Sequence, residues 1–131
     1  MSTKKFSCNI QVRFADLDSY GHVNNATYFT YLETARTKIF MTQGIDFMHE
    51  DILYVVAKAE CAFKKPINLG DELKVHLWIS HVGKASFDID YMLEDPEGKL
   101  FATAKTVMVA LEKGKETPAP LPEKFLQLVK G

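Results

Sequence analysis

Hydrophobic and polar residues take turns along the first part of the chain. Phe6, Cys8, Ile10, Val12 and Phe14 fall on one side, and Ser7, Asn9, Gln11 and Arg13 on the other. A period of two belongs to a half-buried strand, so the pattern predicts one over residues 6–14. Residues 15–23 break the alternation with Asp16, Asp18, Ser19 and Gly21 and read as a loop. The period then changes to about four, with Tyr28, Leu32, Ala35 and Ile39 in register and Tyr31, Phe29 and Phe40 beside them. That spacing predicts a helix capped by Asn24 or Asn25, running towards Gln43 and stopped at Gly44. Its apolar stripe is broad and largely uninterrupted by charge, which predicts burial along most of one side. Glu33 and Arg36, three residues apart, pair on the wetter edge.

A short irregular or helical piece over 46–51 follows, and after it the chain reads as strands. Residues 54–65 are rich in Val and Ala and end at Pro66. Residues 72–82 alternate Leu73, Val75, Leu77 and Ile79 with polar partners, and 86–94 do the same with Phe87, Ile89, Tyr91 and Leu93. Asp95-Pro96-Glu97-Gly98 has turn chemistry and joins 86–94 to 99–111 as a hairpin. Pro118, Pro120 and Pro122 lead into a short amphipathic segment over 122–130. The order is strand, long helix, then four long strands with hairpin connections. This predicts an α+β fold with an antiparallel five-stranded sheet wrapped around one long central helix. The 131 residues suit a single domain, 1–131, with one core. A long final strand left at the sheet edge invites pairing, so a homodimer or homotetramer is expected.

Composition narrows the function classes. Apolar residues at 47% and charged residues at 25% exclude a disordered chain, and no stretch is apolar for long enough to span a membrane. The N-terminus carries no secretory pattern. A formal net charge of -1 gives no overall basic field for nucleic acid, so an anionic ligand must meet a local cluster of Lys or Arg. Cys8 and Cys61 have neither disulfide-framework nor metal-knuckle spacing and read as small buried hydrophobes, which predicts a reducing, cytoplasmic setting. His22 has no second ligand nearby, and His49, His76 and His81 read as ordinary loop or strand-face residues. No metal or cofactor is expected.

Unusual polar residues are densest from Asp16 to Asn25, between the first strand and the start of the most buried helix. The first amides of a helix are unpaired and lie at the positive end of its dipole, where they can polarise a carbonyl oxygen. A carboxylate beside them can act as nucleophile or as general base. An Asp before a helix is also an ordinary turn or capping residue. Local pattern leaves both readings open.

The string Val12-Arg13-Phe14-Ala15-Asp16-Leu17-Asp18, then Gly21-His22-Val23-Asn24-Asn25-Ala26-Thr27-Tyr28 and Tyr31-Leu32-Glu33-Thr34-Ala35-Arg36, resembles the signature of the 4-hydroxybenzoyl-CoA thioesterase family. His22-Val23-Asn24-Asn25 is also similar to acyl-carrier-protein thioesterases, and Pro66–Leu73 resembles the family's loop between its second and third strands. The resemblance implies a hotdog fold and hydrolysis of an acyl-CoA or acyl-carrier-protein thioester. It implies Asp18 as the catalytic carboxylate and the backbone amide of Asn25 as the group that polarises the carbonyl. Gly21 matches the glycine that brings the loop close to ligand, and His22, Asn24 and Tyr28 fall in the same motif as substrate-binding residues. Lys84 aligns with a basic position that contacts the nucleotide in relatives, with Lys64 and Lys65 as alternatives. Some bacterial members carry Tyr where this chain has Phe14 and His where it has Asn25, so the resemblance implies that this protein does without those side chains or uses His22 instead. Other expectations for the same ligand are a hotdog hydratase or dehydratase and a non-catalytic acyl-thioester-binding protein.

Overall fold

The computed structural model describes residues 4–46 and 50–130. Strand β1 (Phe6–Ile10) is followed by a single 3-10 turn (Phe14–Asp16) and helix α1 (Asn25–Thr42). Strands β2 (Ile52–Phe63), β3 (Leu73–Val82), β4 (Ser86–Glu94) and β5 (Leu100–Glu112) come next, and helix α2 (Glu123–Lys130) closes the described chain. The strands form one antiparallel sheet in the order β1-β3-β4-β5-β2. Residues 47–49 of the expected irregular or helical piece over 46–51, His49 among them, lie outside the described residues, and 46, 50 and 51 are irregular.

Alternation decides which side of the sheet is covered. Leu73, Val75, Leu77 and Ile79 on β3 and Phe87, Ile89, Tyr91 and Leu93 on β4 are all buried, as are Ala102, Met108 and Ala110 on β5. They meet the stripe of α1 formed by Tyr28, Leu32, Ala35 and Ile39, joined by Tyr31 and Phe40. Burying one such Leu, Ile or Phe side chain contributes about 1.5–3 kcal/mol, so this single interface is the main source of stability. Phe125 of α2 completes the core against Phe87, with ring centroids 4.2 Å apart. One long helix on a five-stranded antiparallel sheet is the hotdog arrangement.

Three expectations are corrected. The first strand stops at Ile10 rather than at residue 14, because the chain turns into the 3-10 turn. Val12 still reaches the core, but Phe14 is 80% exposed. Cys8 and Cys61, expected as buried hydrophobes, are only partly buried. The final strand is not at an edge: β5 lies between β4 and β2, so only β3–β4 and β4–β5 are hairpins, and the chain crosses over between β2 and β3. The long edge strand is β2, with Leu53, Val55, Val56 and Phe63 exposed. A bulge at Ala57 turns both Val56 and Ala59 towards the helix side of the sheet, opposite Met108 and Thr106.

Candidate active site

The loop from Leu17 to Val23 is a small closed turn whose ends pair with each other. The Asp18 N–H donates to the His22 carbonyl at 2.7 Å, and the Gly21 N–H donates to the Asp18 carbonyl at 3.0 Å. Closing so tight a turn puts Gly21 at φ 83°, a conformation that only glycine adopts without strain. The loop is also stitched to the β2–β3 connection, since the Val23 N–H donates to the Ile67 carbonyl at 2.9 Å and His22 bridges Asn68.

Asp18 is half-buried. Its Oδ1 accepts the Tyr20 N–H at 2.9 Å and the His22 N–H at 3.3 Å. Oδ2 accepts no hydrogen bond among the described residues. One carboxylate oxygen is thus fixed by the turn, and the other is available. Asp16 differs sharply: it is 3% exposed and accepts from the Arg13 N–H, the Arg13 guanidinium and the Tyr31 O–H. Burial alone would raise its pKa, but the bonds from Tyr31 and Arg13 together outweigh burial and hold the carboxyl below its ordinary value. Burial, and next the Asp16 carboxylate, push the Tyr31 phenol well above its usual range, so it stays a donor. Asp16 is therefore spent inside the protein, and Asp18 is the carboxylate that faces outward.

At the start of α1 the amides divide in the same way. The Asn24 side chain accepts the Ala26 N–H at 2.9 Å, and the Asn24 carbonyl accepts the Thr27 N–H at 2.9 Å. The Asn25 N–H precedes any intrahelical acceptor and has no partner among the described residues. Asn24 is thus the cap, and Asn25 supplies the open donor.

Asp18, His22 and Asn25 line one pocket of about 250 Å³, closed by Tyr28, Phe63, Lys64, Lys65 and Pro66. Tyr28 is a wall rather than a polar contact: its buried ring meets Phe63 edge-on at 4.8 Å, and burial raises its pKa. His22 Nδ1 lies 2.8 Å from Asn68 Oδ1. That contact fixes the orientation of the imidazole ring beside the pocket. The Cys61 thiol is pushed up to about 11 by burial, which withholds the thiolate a cysteine nucleophile needs.

The structure brings together Asp18, His22, Asn25 and Tyr28, with Gly21 and Asn24 shaping the turn and the cap. It does not bring Lys84 to them. Lys84 lies in the β3–β4 turn, where its carbonyl accepts the Leu121 N–H near the Ala110 end of β5. Phe63, beside the pocket, pairs with Ala102 at the other end of β5. Sequence reasoning missed Phe63 and Asn68. Asn68 contacts His22 across 46 positions, and no local spacing announces that contact.

A larger hollow of about 460 Å³ lies on the outer face of the sheet against Trp78, Asp90 and Lys105. Its backbone amides belong to the strand ladders, and Asp90 is already held by Lys105 and Ser80. All of its lining residues lie on strands, so no helix-start amide faces it. Among the described residues no three His, Cys, Asp or Glu gather as a metal site, and no helix is long and apolar enough to cross a membrane.

A family model described as the thioesterase-like superfamily matches residues 12–129. The acyl-CoA thioester hydrolase YbgC of Escherichia coli is 27% identical over 131 residues, covering 96% of each chain. A thioesterase from Thermus thermophilus, solved with coenzyme A and zinc, is 35% identical with a TM-score of 0.83, covering 95% of this chain and 90% of that one. Slr0204 of Synechocystis, a 1,4-dihydroxy-2-naphthoyl-CoA thioesterase, superimposes at a TM-score of 0.90 with 24% identity, covering 97% and 96%; at that identity the likeness speaks for the fold.

Proposed function

The chain belongs to the thioesterase-like superfamily, and on that footing we propose that it hydrolyses an acyl-coenzyme A thioester to the free acid and the thiol. The observation that carries the reading is the pairing of an outward-facing carboxylate, Asp18, with an open helix-start amide, Asn25, in one pocket. The coenzyme A bound to the similar Thermus enzyme and the name of the E. coli relative favour coenzyme A over a carrier protein.

The thioester carbonyl oxygen sits on the Asn25 N–H, where the positive end of the α1 dipole favours the charge that builds on that oxygen. Asp18 Oδ2 either attacks the carbonyl carbon or takes a proton from the water that does. The carbon–sulfur bond breaks, and the thiolate leaves as the thiol after gaining a proton; where Asp18 is the nucleophile, water then hydrolyses the acyl-aspartyl anhydride to the free acid. His22 lines the same pocket and is placed to handle that proton. Lys64 and Lys65, exposed at the rim, meet the nucleotide phosphates. The acyl group runs along the seam between α1 and β2, past Phe29, Leu32, Val56 and Ala59.

A second copy covers that seam and the exposed edge of β2, giving a homodimer or a homotetramer built from it. The free thiols of Cys8 and Cys61 suit a reducing compartment and support a cytoplasmic setting. The test is thiol release from a panel of short, long and aromatic acyl-CoA and acyl-carrier-protein substrates. Release from the coenzyme A set supports the reading. Enoyl-thioester formation without thiol release would replace it with a hydratase or dehydratase, and saturable binding without turnover with a carrier. Sedimentation tests the dimer: a monomer at micromolar concentration contradicts it.

A further inference from the structure

The turn from Leu17 to Val23 closes on a neck formed by Asp16 and Asn24. Four donors converge on this buried carboxylate. Oδ2 accepts the Arg13 backbone N–H at 2.9 Å and the Tyr31 O–H at 2.7 Å, while Oδ1 accepts Arg13 Nε at 3.3 Å and Nη2 at 3.0 Å. The Asp16 carbonyl accepts the Asn24 N–H at 2.8 Å. One residue therefore ties the chain just after β1 (Arg13), the second turn of α1 (Tyr31) and the helix cap (Asn24). Asp18 stands two residues along one arm from this neck, and Asn25 one residue along the other.

We infer that Asp16 is a positioning residue which fixes the separation between the Asp18 carboxylate and the Asn25 amide. It does not line the pocket those two share, so it acts only through them. The inference rests on the thioesterase reading of Asp18 and Asn25. Both arms start from the Asp16–Asn24 hydrogen bond, and the side-chain bonds keep that bond from swinging away from the helix. An asparagine at position 16 has the same shape but the wrong hydrogen-bonding face. Whichever way its amide turns, an N–H₂ meets either the Arg13 guanidinium or the Arg13 N–H and Tyr31 O–H, donor against donor. The neck must then shift. A reacting pair displaced by about 1 Å loses rate on the order of 100-fold while substrate still binds. Tyr31→Phe removes one of the four donors and leaves the other three, so its effect has the same direction and a smaller size.

The experiment compares Asp16→Asn, Tyr31→Phe and, as a control on the outer face of the sheet, Ser7→Ala. Asp16→Asn is expected to lower kcat about 10- to 100-fold, and Tyr31→Phe about 3- to 10-fold, each with KM within about threefold of the parent. Ser7→Ala leaves both unchanged. In ¹H–¹⁵N spectra the Tyr20, His22 and Asn25 amides shift in both neck variants, while sheet amides of β4 stay in place. A folded Asp16→Asn whose Tyr20, His22 and Asn25 amides do not move overturns the inference, as does a raised KM with unchanged kcat. Should Asp16→Asn fail to fold, Tyr31→Phe decides on the same two readouts. Should the parent protein release no thiol from any thioester, the functional reading fails, and the amide shifts still decide whether Asp16 holds the neck.

Discussion

Asn24 Oδ1 accepts the Ala26 N–H at 2.9 Å, and this bond leaves the neighbouring amide, that of Asn25, as the open donor at the head of α1. The cap thus has two roles. It satisfies a first-turn amide, and in the proposed mechanism it holds the helix start still beneath a substrate carbonyl.

Asn24→Ala is therefore expected to act on stability and on rate. Loss of an Asn cap costs about 1 kcal/mol, within a range of roughly 0.5–2. Chemical denaturation should report that loss, and kcat should fall in the same protein because the first turn frays. Unchanged stability would mean the cap bond is not maintained in solution.

Gly21 offers a cleaner backbone test. An added Cβ meets nothing within 4 Å, so Gly21→Ala introduces no clash beyond its own residue. The φ of 83° still penalises it by roughly 1–2 kcal/mol. Gly21→Asn should lose less, because Asn tolerates the left-handed region. Equal unfolding midpoints for Gly21→Ala and the parent would show that the turn relaxes.

Asp16 predicts an acid limit. Its pKa lies below the ordinary 3.8 in the folded protein, so it contributes stability that is fully present above that value and is lost as the pH falls through the depressed folded value. Asp16→Asn should be clearly less stable than the parent at pH 7. The gap should narrow as the pH falls below the ordinary value. Urea unfolding at pH 7 and pH 3 measures it; a gap that widens at pH 3 would contradict the assignment of an ionised, hydrogen-bonded carboxylate.

Lys64 and Lys65 can be set against Lys84. A solvent-exposed ion pair is worth up to about 1 kcal/mol, or about fivefold, and salt weakens it. Lys64→Ala/Lys65→Ala is expected to raise KM for an acyl-CoA several-fold at low salt and less at high salt, whereas Lys84→Ala leaves KM unchanged. A KM effect from Lys84→Ala alone would move the nucleotide to the other end of the sheet.

Much of this architecture was legible in the chain because its periods are clean. The alternations on β3 and β4 are reproduced residue for residue as buried and half-buried positions. The helix from Asn25 was readable from its stripe, and its start from the two asparagines. What failed was non-local. Pairing order is set by which strands meet across the sheet, and nothing in 54–65 or 99–111 says that these two are neighbours. Phe14 continues the alternation of β1 in sequence, yet the Arg13–Asp16 bonds curl the backbone away from the sheet at that point. In the loop, Asp16 and Asp18 are equivalent as letters. The resemblance to a known family selected Asp18; the structure adds that Tyr31, fifteen residues on, occupies Asp16, whereas Asp18 keeps one oxygen open.

The central claim is that Asp18 works on a thioester held by the Asn25 amide, and Asp18→Asn tests it most directly. The substitution keeps an oxygen for the Tyr20 and His22 amides while removing the charge, so the fold should survive. Thiol release from the best acyl-CoA of the panel is predicted to fall by about 100-fold or more in kcat, the range seen when a nucleophile or general base is lost. Folded Asp18→Asn releasing thiol at the parent rate would contradict the account.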